Sequence, residues 1–296
     1  METSSLPRNP VTIVLNRLTH YFSSIRIWES VFALPFAYLG MVLAARGWPG
    51  WDPFVWITVA MVGARTLAMS ANRIINARED AQNPRTAQRH LPQGLLSTGE
   101  VGGMAAVGAA LFLLAAYQLN TLALVLAPIA GVYVVLYSFA KYFTWACNLM
   151  LGWALAIAPV GAWVGVTGTL EPPALLLALV VALWAGGFGI IYACTDYEFD
   201  QQYGINSIPR RFGINGALWI TRGMHLLAAA ALLALGIWLG LSFFFYIGWA
   251  IAVVLLIHEN RLVKPHDLSR VNVAFFRVNG YISVQLLAWT VLAVTV

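Results

Sequence analysis

Hydrophobic positions along the chain fall into long continuous runs, and polar residues collect between those runs rather than alternating with them. Nine runs, roughly 23–45, 53–74, 98–118, 121–140, 145–167, 173–194, 215–238, 241–257 and 273–296, have the length at which an α-helix crosses a bilayer. Arg26 and Glu29 stand near the start of the first run and make its beginning the least defined. The pattern predicts an all-α polytopic membrane protein with nine transmembrane helices in one bundle, surrounded by lipid. No Gly/Ser linker or low-complexity tract divides it, so residues 1–296 read as a single domain. Residues 1–20, polar and carrying Pro7 and Pro10, are expected to form a cytoplasmic N-terminal arm.

Composition supports the membrane assignment. Apolar residues make up 60% of the chain and charged residues 10%, against about 25% charged in a soluble domain. Mean hydropathy is +0.75. The net charge of +5 is informative only through its distribution. The N-terminal arm with Arg26 at its edge, 72–97, the turn at Lys141, 195–214 and 258–272 hold 13 of the 17 Lys and Arg residues. The alternate links hold only Arg46. By the positive-inside rule the long polar loops and the N-terminus are cytoplasmic and the C-terminus is outside, which suits a multi-pass protein of the inner (cytoplasmic) membrane. The positive charge is therefore an orientation signal, and no nucleic-acid partner is implied. No obligate protein partner is evident. Cys147 and Cys194 sit among apolar residues without metal-ligand spacing and read as buried free thiols. The five histidines show no spacing with acids that suggests zinc or acid–base chemistry. Gly99–Gly103 is a GxxxG-like signal for close helix packing.

Two polar clusters carry the chemistry. The first runs from Arg65 to Gly94, out of an apolar helix into a loop rich in Asn, Asp and Arg. Arg65, Asn72, Asn76 and Asp80 share one helical face, and the last three bring oxygen donors that suit a hard cation such as Mg2+. The second starts at the end of the sixth run, where Tyr192, Asp196 and Asp200 follow one another at i, i+4 spacing. Asp80 is followed by Asn83, Pro84 and Arg85, and Asp200 by Asn206, Pro209, Arg210 and Arg211. That echo suggests a weak internal repeat whose half-sites face each other. A single Asp at a helix exit is usually a solvated end, but acids and amides on two helices call for a shared cation. Arg85, Arg89, Lys141, Arg210 and Arg211 add bases on the same side. Acids interleaved with bases describe a metal-bridged diphosphate, with Arg gripping phosphate oxygens and Lys acting as a point charge.

These residues resemble the UbiA-type intramembrane aromatic prenyltransferases. The first cluster is similar to that family's Asn- and Asp-rich motif, with Arg73 and Asn76 where an Asp is usual. NPRTAQRHLPQG is similar to the loop that follows it, Asp196 and Asp200 to its Asp-x-x-x-Asp motif, and Tyr137 with Lys141 to its Tyr-x-x-x-Lys element. APVGAW, SIPRRFG and KPHDLSRVNVAFFRVNG also resemble family segments, so the likeness spans the chain from Phe32 onward and lies nearest the menaquinone branch of the futalosine type. The resemblance implies Mg2+-dependent transfer of a polyprenyl group from an isoprenyl diphosphate to an aromatic quinone precursor of the 4-hydroxybenzoate kind, in ubiquinone or menaquinone biosynthesis. It implies Mg2+ held by Asn72, Asn76, Asp80, Asp196 and Asp200. It implies catalytic roles for Asp80, Asp196, Asp200 and Lys141, and substrate contacts from Arg65, Arg85, Tyr137, Lys141, Tyr192 and Arg211. Arg65, deeper on the Asn72 face, is the candidate for orienting the acceptor. A secondary transporter is the alternative from another class, although transporters place ion-binding groups near the midplane. A catalytically degenerate, isoprenoid-lipid-binding family member is the other, kept open by Asn76.

Overall fold

The computed structural model describes residues 17, 19–25 and 30–296. Arg8, Arg26, Glu29 and most of the expected N-terminal arm lie outside the described residues. The chain is helical throughout, with no β-strand among the described residues and one isolated bridge between Lys264 and Asp267. The elements are α1 (Ser30–Ala45), α2 (Trp51–Ile75), α3 (Ala77–Gln82), α4 (Thr98–Leu119), α5 (Thr121–Leu136), α6 (Ala140–Phe143), α7 (Cys147–Thr167), α8 (Pro172–Ala193), α9 (Tyr197–Tyr203), α10 (Ile208–Leu239), α11 (Phe243–Leu262) and α12 (Asn279–Thr295). Short tight turns at Tyr137–Phe139 and Cys194–Asp196 lead into α6 and α9, and a wide π-turn at Val273–Val278 leads into α12.

The expected count of nine spans is corrected. Among the described residues eight helices are long and apolar enough to cross a membrane, and the first apolar helix is a shorter piece, Ala33–Ala45. The start expected for the first run, with Arg26 and Glu29, lies outside the described residues.

Helix ends follow their sequences. Ser97 accepts from the Glu100 backbone while Glu100 bonds back to Ser97, a reciprocal cap that starts α4. Asn120 caps α5 and Ser207 caps α10, and Pro172 opens α8 at a position that needs no N–H. Gly213 breaks α10 near its start with φ 71°, which separates its first turn from the long span that follows.

The span containing α8 is the bundle's centre, with 78% of its apolar window buried against 17% for α2. Helices α7 and α10 pack on α8, α1 packs on α7, and α12 bridges α11 and α1 to close that ring. Helix α2 pairs with α4 at the side. Lipid tails are as apolar as leucine, so close van der Waals contact rather than the hydrophobic effect holds such helices together. The close approach falls elsewhere than Gly99–Gly103: a Cβ on Gly102 or Gly103 would meet nothing within 4 Å. It is Gly63 on α2 and Gly108 on α4 that touch, where an added Cβ would lie 2.6 Å from the Phe112 or Leu67 backbone nitrogen. Cys194 is buried and Cys147 half-buried, both as free thiols.

Candidate active site

The site is built on two helix breaks with the same backbone. Helix α2 stops at Ile75, Asn76 takes φ −99° and ψ 10°, and α3 begins at once. Helix α8 stops at Ala193, a tight turn follows, and Asp196 takes φ −101° and ψ 6° before α9 begins. Both residues lie in the sparsely populated bridge region, where active-site residues often sit. Each break is followed four residues later by a buried aspartate, Asp80 and Asp200.

The two breaks meet through the loop after α3. Asn83 precedes a proline and is extended, and its Oδ1 accepts the Arg85 N–H at 2.9 Å to form a tight side-chain turn. That turn aims two donors across the bundle end. Asn83 Nδ2 donates to Asp196 Oδ1 at 2.9 Å, and Arg85 grips both Asp196 oxygens, Nε to Oδ1 at 2.9 Å and Nη2 to Oδ2 at 2.6 Å. Arg85 Nη1 also reaches the Tyr192 hydroxyl at 3.0 Å, and its guanidinium sits 5.0 Å from that ring's centre. Burial works against the Arg85 charge, but hydrogen bonding and charge from Asp196 outweigh it, so its pKa is raised above the ordinary arginine value. Asp80 is held inside its own loop: Arg89 Nη1 donates to both its oxygens at 2.7 Å, and Thr86 Oγ1 caps its backbone carbonyl at 3.0 Å. Asp200 has no arginine on it and accepts from Ser207 Oγ at 2.6 Å.

Lys141 on α6 lies within electrostatic reach of Glu79, Asp80 and Asp200, and its backbone carbonyl accepts the Asn206 N–H at 3.0 Å, which ties the α6 turn to the second cluster. Asn72 donates to Ser138 Oγ at 3.1 Å, next to Tyr137. Asn76 uses both ends of its amide: Nδ2 donates to the Asn72 carbonyl at 2.9 Å and Oδ1 accepts from Tyr142 at 3.0 Å. Arg73 is buried and donates to the Ser24 carbonyl at 3.1 Å, which ties α2 to the chain ahead of α1. Arg65 is half-buried deeper on α2.

Asn72, Asn76, Asp80, Lys141, Arg85, Tyr192, Asp196 and Asp200 are thus brought to one end of the bundle. Arg211 is exposed and sits over the Trp145 and Phe212 rings at 5.3 and 5.6 Å; Arg210 is the neighbour whose charge reaches Asp200. Asn83, Ser207, Ser138 and Tyr142 were missing from the expected set. The Asn-Pro dipeptide at 83–84 was the available signal for the first. Glu79, on α3 beside Asp80, lies within electrostatic reach of Lys141 and Tyr142. Its Oε2 is buried and makes no hydrogen bond.

Three or more His, Cys, Asp or Glu side chains do not gather into a ready metal cage among the described residues. The donors present, carboxylate and amide oxygens with one buried carboxylate oxygen unbonded, are nonetheless the hard ligands that Mg2+ takes.

An all-helical membrane protein with acid–arginine clusters meeting at one bundle end is the class these features define. The chain belongs to the UbiA prenyltransferase family, whose model matches residues 33–281. Among similar proteins, 4-hydroxybenzoate octaprenyltransferase of Vibrio cholerae is 30% identical over 275 residues, covering 92% of this chain and 93% of that one. Its counterpart in Aliivibrio fischeri is 29% identical over 260 residues, covering 88% of each. The apo structure of a UbiA homologue from Aeropyrum pernix K1 matches with TM-score 0.82 at 30% identity, over 90% of this chain and 98% of that chain. A UbiA homologue from Archaeoglobus fulgidus bound to GPP and Mg2+ shares the fold, with TM-score 0.73 at 18% identity, over 94% and 100%. The protein is an enzyme, a prenyltransferase, and the transporter alternative falls with that assignment. The relatives named here act on 4-hydroxybenzoate by name, so nothing among them supports the expected menaquinone branch.

Proposed function

We propose that this chain, as one functional domain, transfers a polyprenyl group from an isoprenyl diphosphate to an aromatic quinone precursor of the 4-hydroxybenzoate kind, with Mg2+ as cofactor. The observation that carries the reading is the junction of the two half-sites, where Asn83 and Arg85 of the first converge on Asp196 of the second at 2.6–2.9 Å. Such a junction puts acids and guanidinium donors within reach of one phosphorylated ligand. The names of the relatives, and the GPP and Mg2+ bound by the Archaeoglobus fulgidus homologue, support it. We place the junction on the cytoplasmic side of an inner membrane, following the distribution of Lys and Arg.

Chemically, the diphosphate must depart as an anion while an allylic cation develops on the prenyl carbon. Asp196, Asp200 and Asp80, with carbonyl oxygens of Asn72 and Asn76, are the residues that would hold Mg2+, which supplies charge neutralisation to the departing diphosphate. Glu79 offers the carboxylate that an amide at position 76 lacks. Arg85 and Arg89 pair with Asp196 and Asp80 in the free protein and would turn to phosphate oxygens when the donor binds. Lys141 adds a point charge, Tyr192 and Tyr137 border the reacting carbon, and Arg211 receives the outer phosphate edge. Arg65 orients the acceptor's carboxylate below. The ring then bonds to the prenyl carbon and loses its proton, while the apolar helices keep water from the cation.

The test is purified protein with labelled isoprenyl diphosphate, Mg2+ and a panel of aromatic acids, with a chelator control. Metal-dependent label on one acceptor names the substrate. Release of diphosphate without acceptor labelling would shift the acceptor to a class outside the panel. Saturable donor binding with neither signal would refute the reading.

A further inference from the structure

Away from the site, helices α10 and α11 leave a groove of about 530 Å³ between them, within the range of ligand pockets. None of its lining residues belongs to the site described above. Leu226, Ala229, Val253 and Ile257 form its apolar length, and Arg222, Arg261 and Lys264 stand around its polar end. Leu226 and Ile257 are exposed on the outer face of the bundle, so the groove opens sideways to lipid.

The charge at the polar end is one-signed. No acid lines the groove, and none of the three bases makes an ion pair among the described residues. Of the acids near these bases in sequence, Glu259 is fully buried and accepts from Asn279 Nδ2 at 2.9 Å, while Asp267, whose charge reaches Lys264, accepts from Ser269 Oγ at 2.6 Å and from its backbone N–H at 3.0 Å. Arg222 lies roughly 12 Å along the span that begins after the Gly213 break, by the helical rise of its eight residues. Its guanidinium sits 4.5 Å from the centre of the Trp219 ring, and Trp219 is itself exposed. An arginine beside an exposed tryptophan at this depth matches the level of lipid headgroups, with the side chain reaching toward the interface.

We propose that this groove holds an anionic phospholipid of the surrounding bilayer, its phosphate on Arg222, Arg261 and Lys264 and one acyl chain along Leu226, Ala229, Val253 and Ile257. Basic pockets between transmembrane helices are suited to anionic headgroups. A phosphodiester fits better than a diphosphate here, because a diphosphate travels with a divalent cation and the groove has no carboxylate to receive one.

The experiment is native mass spectrometry of the delipidated full-length protein in detergent, titrated with phosphatidylglycerol or with phosphatidylcholine. One saturable phosphatidylglycerol adduct, with phosphatidylcholine binding at least tenfold more weakly, is the expected result. Each of Arg222→Gln, Arg261→Gln and Lys264→Gln should weaken the adduct about fivefold, and the triple variant roughly a hundredfold. Ala229→Leu keeps all three cations and fills the apolar part, so it should weaken both lipids alike and carries the test should the triple variant aggregate. Equal binding of the two lipids, or an adduct that survives in the single charge variants and in Ala229→Leu, would overturn the proposal. Displacement of phosphatidylglycerol one for one by geranyl diphosphate with Mg2+ would overturn it too, assigning the groove to substrate.

Discussion

The half-sites at Asn76–Asp80 and Asp196–Asp200 share a backbone and differ in nearly everything attached to it. Both place a residue with φ near −100° and ψ near 10° at a helix break, and both bury an aspartate four residues on. In the first, the break residue is an amide whose two ends are spent on Asn72 and Tyr142, and the aspartate is neutralised by Arg89 from its own loop. In the second, both positions are carboxylates; Asp196 borrows its cations from the first half-site, and Asp200 is hydrogen-bonded only by a hydroxyl, with Lys141 and Arg210 within electrostatic reach. The first half-site pairs its aspartate within its own loop and lends positive charge, while the second draws its cations from other segments. A repeated backbone has taken on unequal roles through side chains alone.

Breaking the junction should have the largest effect. Asp196→Ala removes the acid and orphans Arg85, and transfer should fall by about a hundredfold to a thousandfold, the usual loss for a positioned electrostatic group. The check is initial rate at saturating donor, with circular dichroism to show that the helices remain. Asp80→Ala, whose acid is paired only within its own loop, should lose less donor binding than Asp196→Ala, and equal losses would remove the asymmetry argued here. Next, Arg85→Lys keeps charge but gives up the two-pronged grip and the bond to Tyr192, and should raise KM for the diphosphate roughly tenfold. An unchanged KM would mean that Arg85 serves only to hold Asp196.

A smaller effect sharpens the comparison by making the first half-site more like the second. Asn76→Asp should preserve or increase activity and tighten Mg2+ dependence, whereas Glu79→Gln should weaken Mn2+ binding, followed by electron paramagnetic resonance, by about tenfold. In the double variant the loss from Glu79→Gln should largely disappear, since one added carboxylate replaces the other. Additive effects would show that Glu79 is not acting as the missing acid.

The smallest concerns pH. His90, in the first half-site's loop, packs against His20 with ring centres 5.3 Å apart, and burial first, then the charges of His20 and Arg73, lower its pKa below the ordinary 6.5. A lowered histidine pKa means the unfolded chain binds more protons, so its contribution is present above about 6.5 and is lost as pH falls through the depressed value. Thermal stability should fall slightly over that acid window, and His90→Phe should flatten the fall. The second half-site has no histidine to titrate there.

The spans were legible because a run of apolar residues long enough to cross lipid leaves the backbone no option but helix. The count was less so: among the described residues eight helices are long and apolar enough to cross, and the first run appears as the shorter Ala33–Ala45. The close-packing glycines were misread for a related reason. Gly99–Gly103 has the right spacing, but only the neighbour that arrives decides which glycines are crowded, and α4 meets α2 at Gly108.

What the sequence determined by itself was the class of fold, the two clusters and the residue types in them, because hydropathy and helical spacing are local properties. Helical pitch predicted one face for Asn72, Asn76 and Asp80, and backbone bonds from Asn76 to Asn72 and from Asp80 to Asn76 run through the break at Asn76. Tertiary structure alone decided that Glu79 turns toward Lys141, that Arg85 crosses to Asp196 rather than Asp80, and that Arg73 belongs to the chain before α1. Those pairings join residues far apart in the chain, and an arginine side chain can reach any of several acids. Which acid it neutralises depends on where the helices bring the loops, and no spacing along a single segment contains that.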